Sequence, residues 1–356
     1  MAPTAKSAFE LAEIGALNRP LFEPAIYEHK AALLQRPVVD VATSAELLAE
    51  ATLMEIEHYH PDAVTIGVDV YNVEAEAIGC RLNYDVPRYE GPQVAEPLLG
   101  QVGSWTDLPL PDAERAGRMP LFLEAASRVL RARPPEILVR GAVSGPFSLA
   151  ATLVGFERLL LTILDDASRV RQLLNYTLEV SLGFGLAYLR RGAEPVYFDS
   201  RCAPPLLSPR MYAELVLPVH AELVRKTRAF GARQVPLIIG GDTTEIVEDL
   251  VRTGAGYLLC DAPANFQRYR EALTGRRLFL RRNLNPVLIH RGPLEEIEKE
   301  ARAYLQEARG LPLFVLGTGI VAYDTPPQHI VAVRRTLEQV SSDGGFWGCA
   351  SPRSSA

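Results

Sequence analysis

The side chains with the clearest capacity for chemistry fall in short polar clusters, each at the end of an apolar run. Tyr27, Glu28, His29 and Lys30 end the first, and Asp69, Tyr71, Asn72 and Glu74 the second. Arg140 and Ser144 close a third, and Asp199, Ser200, Arg201 and Cys202 follow PVYF. Later clusters hold Asp242 and Thr243, Asp261 and Asn265, then Arg281, Arg282, Asn283 and Asn285, and finally Thr318, Tyr323 and Asp324. Carboxyl, phenol and imidazole groups in such a set can give or take protons. Arginines on several runs (Arg140, Arg201, Arg281, Arg282) suit an anionic substituent, which a guanidinium grips through paired hydrogen bonds. The plainer alternative is that they pair with Asp69, Asp199 and Asp261 to close the structure around them.

A lone histidine more often serves structure than catalysis, but the place of His29 directly behind the first run makes it a candidate proton donor. His58 and His60 read as helix-end residues, and His220 and His290 have no evident partner. Gly240-Gly241 stand before a helix start, where backbone N–H groups either hold an anion or simply make a tight turn. Phosphate-loop, zinc-protease and nucleophile-elbow patterns do not occur, and the one GxG, in GTGIV, follows the last run rather than the first.

The elements that must position these clusters are legible in outline. Apolar runs such as AVTIGVDVY, EILVRGAV, PVYFDS, VPLIIG, GYLLCD and LFVLGTGIV are apolar on both faces, as strands covered on both sides should be. Helix punctuation separates them. Thr43 with Glu46, and Asp242 with Glu245, read as capping boxes; Ser208-Pro209 opens a helix that Gly231 ends; Pro293 opens another that closes near Gly310. Strands that alternate with helices in this way predict a (β/α)8 barrel, with an open doubly wound sheet as the alternative. In a barrel the polar clusters gather at the C-terminal mouth.

One barrel domain over residues 1–340 is expected, with an N-terminal extension and a Pro/Gly/Asp-rich excursion over the mouth at 80–120. The tail 341–356 reads as a flexible linker. A net charge of −6 gives no reason to expect nucleic acid or an anionic membrane. Four scattered cysteines and an N-terminus without a secretory pattern point to the cytoplasm.

Several clusters together resemble the uroporphyrinogen decarboxylase superfamily: SGPFSLA (144–150), FDSRCAPPLLSP (198–209), GGDTTEIVEDLVRTGA (240–255), RNLNP (282–286) and GTGIVAYDTPPQHI (317–330). DVYNVEAEAIGC (69–80) is similar to the branch of cobamide-dependent methyltransferases. The resemblance implies a (β/α)8 barrel with its pocket at the C-terminal face. It also shows departures. Zinc-dependent members of that branch carry His-x-Cys-Gly at the fifth strand and a third Cys at the eighth; here those places read Ile238-Ile239-Gly240-Gly241 and Ile320, so no zinc is expected. The decarboxylase's N-terminal arginine motif is replaced by FEPAIYEHKAALLQRP, and its later Tyr and His by Thr152 and Thr318, although Asp69 and Ser200 match.

The resemblance therefore implies a methyltransferase that moves a methyl group from a small O- or N-methylated substrate to a corrinoid (cobalamin). No D-x-H-x-x-G segment is present, so the corrinoid is expected on a partner protein or free in solution. A reduced corrinoid is itself the nucleophile, so this chain's task is to improve the leaving group. Tyr27, Glu28 and His29 are the candidate acids, with Asp69 to orient them. Tyr71, Asn72, Arg140, Ser200, Arg201, Arg282, Asn283, Thr318 and Tyr323 are the candidate substrate contacts, and Arg201 or Arg282 would hold an anionic substituent. A lyase acting on a non-porphyrinogen carboxylate, and a non-catalytic binding protein on a degenerate barrel, are the alternatives. A monomer and a homodimer are both compatible with this reading.

Overall fold

Eight parallel strands form one sheet: β1 (Leu21–Phe22), β2 (Ala63–Ile66), β3 (Leu138–Ser144), β4 (Glu194–Phe198), β5 (Pro236–Ile238), β6 (Tyr257–Cys260), β7 (Phe279–Asn283) and β8 (Phe314–Gly317). The computed structural model describes residues 6–98 and 108–342. The ladder runs β1-β8-β7-β6-β5-β4-β3-β2, so the first two strands end up as neighbours across the remaining seam. Asp62 stitches that seam. Its N–H donates to the Phe22 carbonyl at 2.8 Å, and its carboxylate accepts from Phe22 N–H at 2.7 Å and from Arg19 at 2.6 and 2.7 Å. The fold is the expected (β/α)8 barrel.

Alternation along each strand divides the core in two. Leu21, Ala63, Ala142, Val196, Ile238, Tyr257, Phe279 and Val315 face the bore, while a larger set packs between the strands and the outer helices. The N-terminal extension plugs the bottom. Ser7 and Glu10 form a true capping box on helix Ala8–Glu13, which aims Phe9 into the bore with its ring centroid 5.0 Å from that of Phe279 and 4.8 Å from the Arg140 guanidinium.

Local departures from expectation have local causes. The first run makes only a two-residue strand because Pro24 has no N–H for the ladder; pairing resumes as an isolated bridge, Ala25 to Ile320. The cap of helix Ala45–Tyr59 is Ser44, one residue past the expected Thr43, whose hydroxyl instead donates to Val39 and Asp40 carbonyls. Asp242 accepts from the N–H and hydroxyl of Thr244 at the start of a short 3-10 turn (Thr244–Ile246), whose N-cap is Thr243 without a side-chain cap bond, so the expected box with Glu245 does not form. Ser208 and Pro209 do open their helix, which takes a π turn over Tyr212–Val216 where Pro218 cannot donate to Glu214. In the excursion, Leu82–Asn83 and Gln93–Val94 pair as an antiparallel hairpin. Its residues 99–107, like residues 343–356 of the expected tail, lie outside the described residues, and the last helix runs to Ser342. No single described helix is long and apolar enough to cross a membrane.

Candidate active site

At the C-terminal mouth the strand ends and the excursion enclose a cleft with two adjoining lobes. The smaller, about 400 Å³, is walled by Glu28, Asp69, Tyr89, Glu90, Tyr323 and Asp324 among others. The larger, about 610 Å³, is walled by Thr152, Phe156, Arg201 and Leu206. Asn72 and Gln93 belong to both walls and join the lobes.

Asp69 sits where β2 runs out and is held on both carboxylate oxygens. Asn72 donates to Oδ1 at 2.6 Å, and the Arg118 Nη2 donates to Oδ2 at 2.6 Å. The second amide hydrogen of Asn72 ties the excursion down through the Pro92 carbonyl at 2.7 Å. Tyr71 makes this turn by adopting φ 86°, an uncommon conformation for a residue with a side chain. Burial raises the Asp69 pKa above the usual carboxylate range, and Arg118 and Asn72 oppose that rise without cancelling it.

Glu28, first residue of helix Glu28–Leu33, is the second carboxyl of the small lobe. Burial raises its pKa, its own backbone N–H lowers it, the charge of Asp69 raises it further, and Lys30 opposes the rise. It makes no ion pair among the described residues. Arg201 occupies the other lobe. Its Nη1 donates to Thr152 Oγ1 at 2.7 Å and to the Ser148 carbonyl at 3.3 Å, and its plane lies 5.4 Å from the Tyr71 ring centroid. It too has no ion-pair partner among the described residues.

The other expected site residues go elsewhere. Tyr27 is buried in the bore, edge-on to Phe198, and burial pushes its phenol well above its ordinary pKa. His29 turns away from the cleft: Nε2 meets the Tyr59 hydroxyl at 2.7 Å, Nδ1 the Tyr323 carbonyl at 3.0 Å, and burial lowers its pKa. Arg140 lies in the bore with no solvent exposure, 3.2 Å from Glu23 and bonded to Gln234 at 2.9 Å. Arg282 is on the outside of the wall, stacked on Tyr304 and paired with Glu307. Asn283 donates to Asp261, the Thr318 hydroxyl accepts from Ala25 N–H, and Ser200 accepts from Gly240 N–H and bonds with Tyr71. Gly241 N–H donates to Asp261, so the glycine pair is occupied by the protein's own acceptors. Of the substrate contacts expected, Asn72, Arg201 and Tyr323 line the cleft, and Tyr71 lies beneath Arg201.

Three features in and beneath the cleft carried no sequence signal. Arg118, which fixes Asp69, comes from 49 residues downstream. Tyr89 and Glu90 arrive on the excursion, and Glu23, which balances Arg140, reads as one more residue of a short run.

The positions that the resemblance associates with zinc hold Ile238 in the bore and Ile320 exposed at the rim. A different group brings ligand-type atoms together: Asp199, Cys202 and His220, all buried, with those atoms within 4.8 Å of one another. His220 Nε2 meets Asp199 at 2.8 Å and Nδ1 meets the Tyr212 hydroxyl at 3.0 Å, so His220 does have partners. The Cys202 thiol donates to the Asp199 carbonyl, and burial holds its pKa well above the ordinary thiol value.

The chain belongs to the uroporphyrinogen decarboxylase (URO-D) family, which it matches over residues 25–340. It is 25% identical over 312 residues to a uroporphyrinogen decarboxylase of Solibacter usitatus, covering 83% of this chain and 84% of that protein. It is 24% identical over 294 residues to a methylcobamide:CoM methyltransferase of Methanosarcina barkeri, covering 82% and 84%. A solved methyltransferase from Methanosarcina mazei shares the fold with a TM-score of 0.82 at 21% identity, over 93% of this chain and 97% of that one. Family and fold agree with the strand-end motifs.

Proposed function

We propose that this chain is a methyltransferase that removes a methyl group from a small O- or N-methylated substrate and delivers it to a corrinoid co-substrate carried by a partner protein. The observation that carries this reading is the cleft itself. It places a carboxyl that forms no ion pair among the described residues, Glu28, beside a fixed carboxylate, Asp69, with a guanidinium that likewise forms none, Arg201, in the adjoining lobe. The likeness to methylcobamide:CoM methyltransferases supports a corrinoid as one party to the transfer, although their name makes the cobamide the methyl donor and here it is the proposed acceptor. The corrinoid supplies the nucleophile; this chain's residues bind the donor and ease the departure of its oxygen or nitrogen. A neutral ether or amine needs a proton at the leaving atom, and a carboxyl with a raised pKa in a cleft is suited to give one. A leaving atom already positive needs a counter-ion instead. Arg201 would hold an anionic substituent.

The test is methyl transfer from candidate ethers and methylated amines to reduced cobalamin, followed by absorbance. Glu28→Gln and Asp69→Asn should each slow it by roughly 10²-fold or more, and rates unchanged in both would remove these roles. A decarboxylase reading is favoured by the relatives bearing that name. Release of carbon dioxide from a carboxylate substrate, without methyl transfer, would establish it instead.

A further inference from the structure

The walls of the small lobe carry four carboxyl side chains, Glu28, Asp69, Glu90 and Asp324, and neither lysine nor arginine. Asp69 is offset from behind by Arg118, and Asp324 lies 3.7 Å from His290. Among the described residues Glu90 accepts only from a neutral amide, that of Gln93, and Glu28, largely buried, forms no ion pair: its nearest cationic influence, Lys30, is paired with Glu55. A carboxyl withdrawn from water without a counter-ion is costly, and it favours a positively charged occupant. Two phenol rings face the same space. Tyr323 already has Arg88 5.5 Å from its ring centroid, whereas Tyr89 is 54% exposed and its ring is open to the lobe. An aromatic face beside carboxylates is what a methylated ammonium head prefers.

The larger lobe has the opposite sign. Arg201 lines it, and its bonds go to a hydroxyl and a carbonyl, with no anionic partner among the described residues. Asn72 and Gln93 are common to both lobes, so the two adjoin.

We infer that the methyl donor is a zwitterion of the betaine class, with its quaternary ammonium head in the Glu28–Asp69–Tyr89 lobe and its carboxylate on Arg201. The inference rests on the methyltransferase reading and narrows it. No proton is needed in this case. The methyl–nitrogen bond breaks with its electron pair staying on nitrogen, the product amine leaves neutral, and the reduced corrinoid supplies both electrons of the new bond to carbon. Glu28 then acts as a carboxylate that stabilises the cation.

Calorimetric titration of the full chain, without corrinoid, tests the inference with four probes: trimethylglycine, tetramethylammonium, acetate, and the isostere of trimethylglycine with carbon in place of nitrogen. Trimethylglycine should bind at least about tenfold more tightly than each of the others, a factor that corresponds to one well-placed charge. Glu28→Gln should weaken trimethylglycine and tetramethylammonium but not acetate, whereas Arg201→Gln should weaken trimethylglycine and acetate but not tetramethylammonium. The probe comparison uses the unaltered chain, so it stands even where a variant folds poorly. Equal binding of the isostere, tighter binding of acetate than of trimethylglycine, or no binding of any probe overturns the inference. Methyl transfer from a neutral ether without trimethylglycine binding overturns it and leaves the methyltransferase reading intact. The expected binding pattern without methyl transfer to reduced cobalamin supports the zwitterion site and sinks the methyltransferase.

Discussion

Arg281 and Arg282 are consecutive residues of β7, and their guanidinium groups lie on opposite sides of the barrel wall. Arg281 points into the bore, where its Nε donates to Asn283 at 2.8 Å and its Nη1 lies 4.0 Å from Glu23. Arg282 points outward, 3.4 Å from the Tyr304 ring centroid and 2.6 Å from Glu307. The period of two in a strand requires this split. Arg282→Met should therefore cost about 1–2 kcal/mol of stability through lost stacking and a partly exposed pair, and leave ligand binding within about twofold. Arg281→Met, which strips a cation from the buried Glu23 network, should cost more, about 3 kcal/mol. Urea unfolding with binding measured on the same samples checks both. Loss of binding in Arg282→Met at unchanged stability would return that residue to the site.

The Asp69–Arg118 pair makes a kinetic prediction. The guanidinium is what holds down the pKa of a carboxylate that burial pushes up, so Arg118→Met should raise the Asp69 pKa further. If Asp69 works ionised, the acidic limb of the kcat/KM profile moves to higher pH, and activity at high pH recovers more than activity at neutral pH. Arg118→Lys, which keeps the charge, should restore part of the profile. A uniform loss at every pH would mean that Arg118 merely props the excursion.

How much of this was legible in sequence depends on which interactions are local. Both-faced apolar runs announced the strands and their order, since a buried parallel strand must be apolar throughout. That same property hid their parity, so Arg282 read as facing the mouth while Arg281 is the inward residue. Ser44 and Thr43 are chemically equivalent caps, and only the backbone turn selects between them. Arg118 meeting Asp69, and His220 meeting Asp199, are tertiary pairings between elements far apart in the chain, for which no spacing rule exists. The Glu28 position was readable because a helix start directly behind a strand places its first residue at the rim.

Lys30 and Glu55 form an ion pair at 3.0 Å with almost no exposure on either side chain, and this pair makes stability depend on pH. Burial raises the Glu55 pKa to about 7 from an ordinary 4.5, although Lys30 opposes the rise. A folded-state pKa above the unfolded value means that the folded chain binds the proton more tightly. The contribution is thus complete below the unfolded value and is lost as pH rises through about 7. Unfolding in urea at about pH 5 and about pH 8 should give lower stability at the higher pH. Glu55→Gln should abolish that component while costing about 3–5 kcal/mol, because Lys30 is left buried without its partner. A wild-type difference that persists unchanged in Glu55→Gln would assign it to another group.

The Asp199–Cys202–His220 group can be tested as structure against metal site. Asp199 Oδ1 accepts from Ser148 N–H at 2.6 Å, and Oδ2 accepts from Phe147 N–H at 3.0 Å, which caps helix Pro146–Val154. His220 adds a third bond to the carboxylate, at Oδ2, and is held by Tyr212 on its far side. Gly145 has no space for a side chain, since an added Cβ would stand 2.3 Å from that of Asp199. Every polar atom in the group already has a partner, and a helix N-terminus already stabilises the negative charge. A zinc ion would have to displace these bonds and ionise a thiol that burial keeps protonated. The expectation is that a strong chelator leaves the melting temperature unchanged. His220→Ala should lower stability by about 3 kcal/mol through an unsatisfied carboxylate and a cavity, and His220→Gln should lower it by less. Stoichiometric zinc in the purified chain, released by the chelator together with a fall in melting temperature and absent from Cys202→Ser, would make the group a metal site instead.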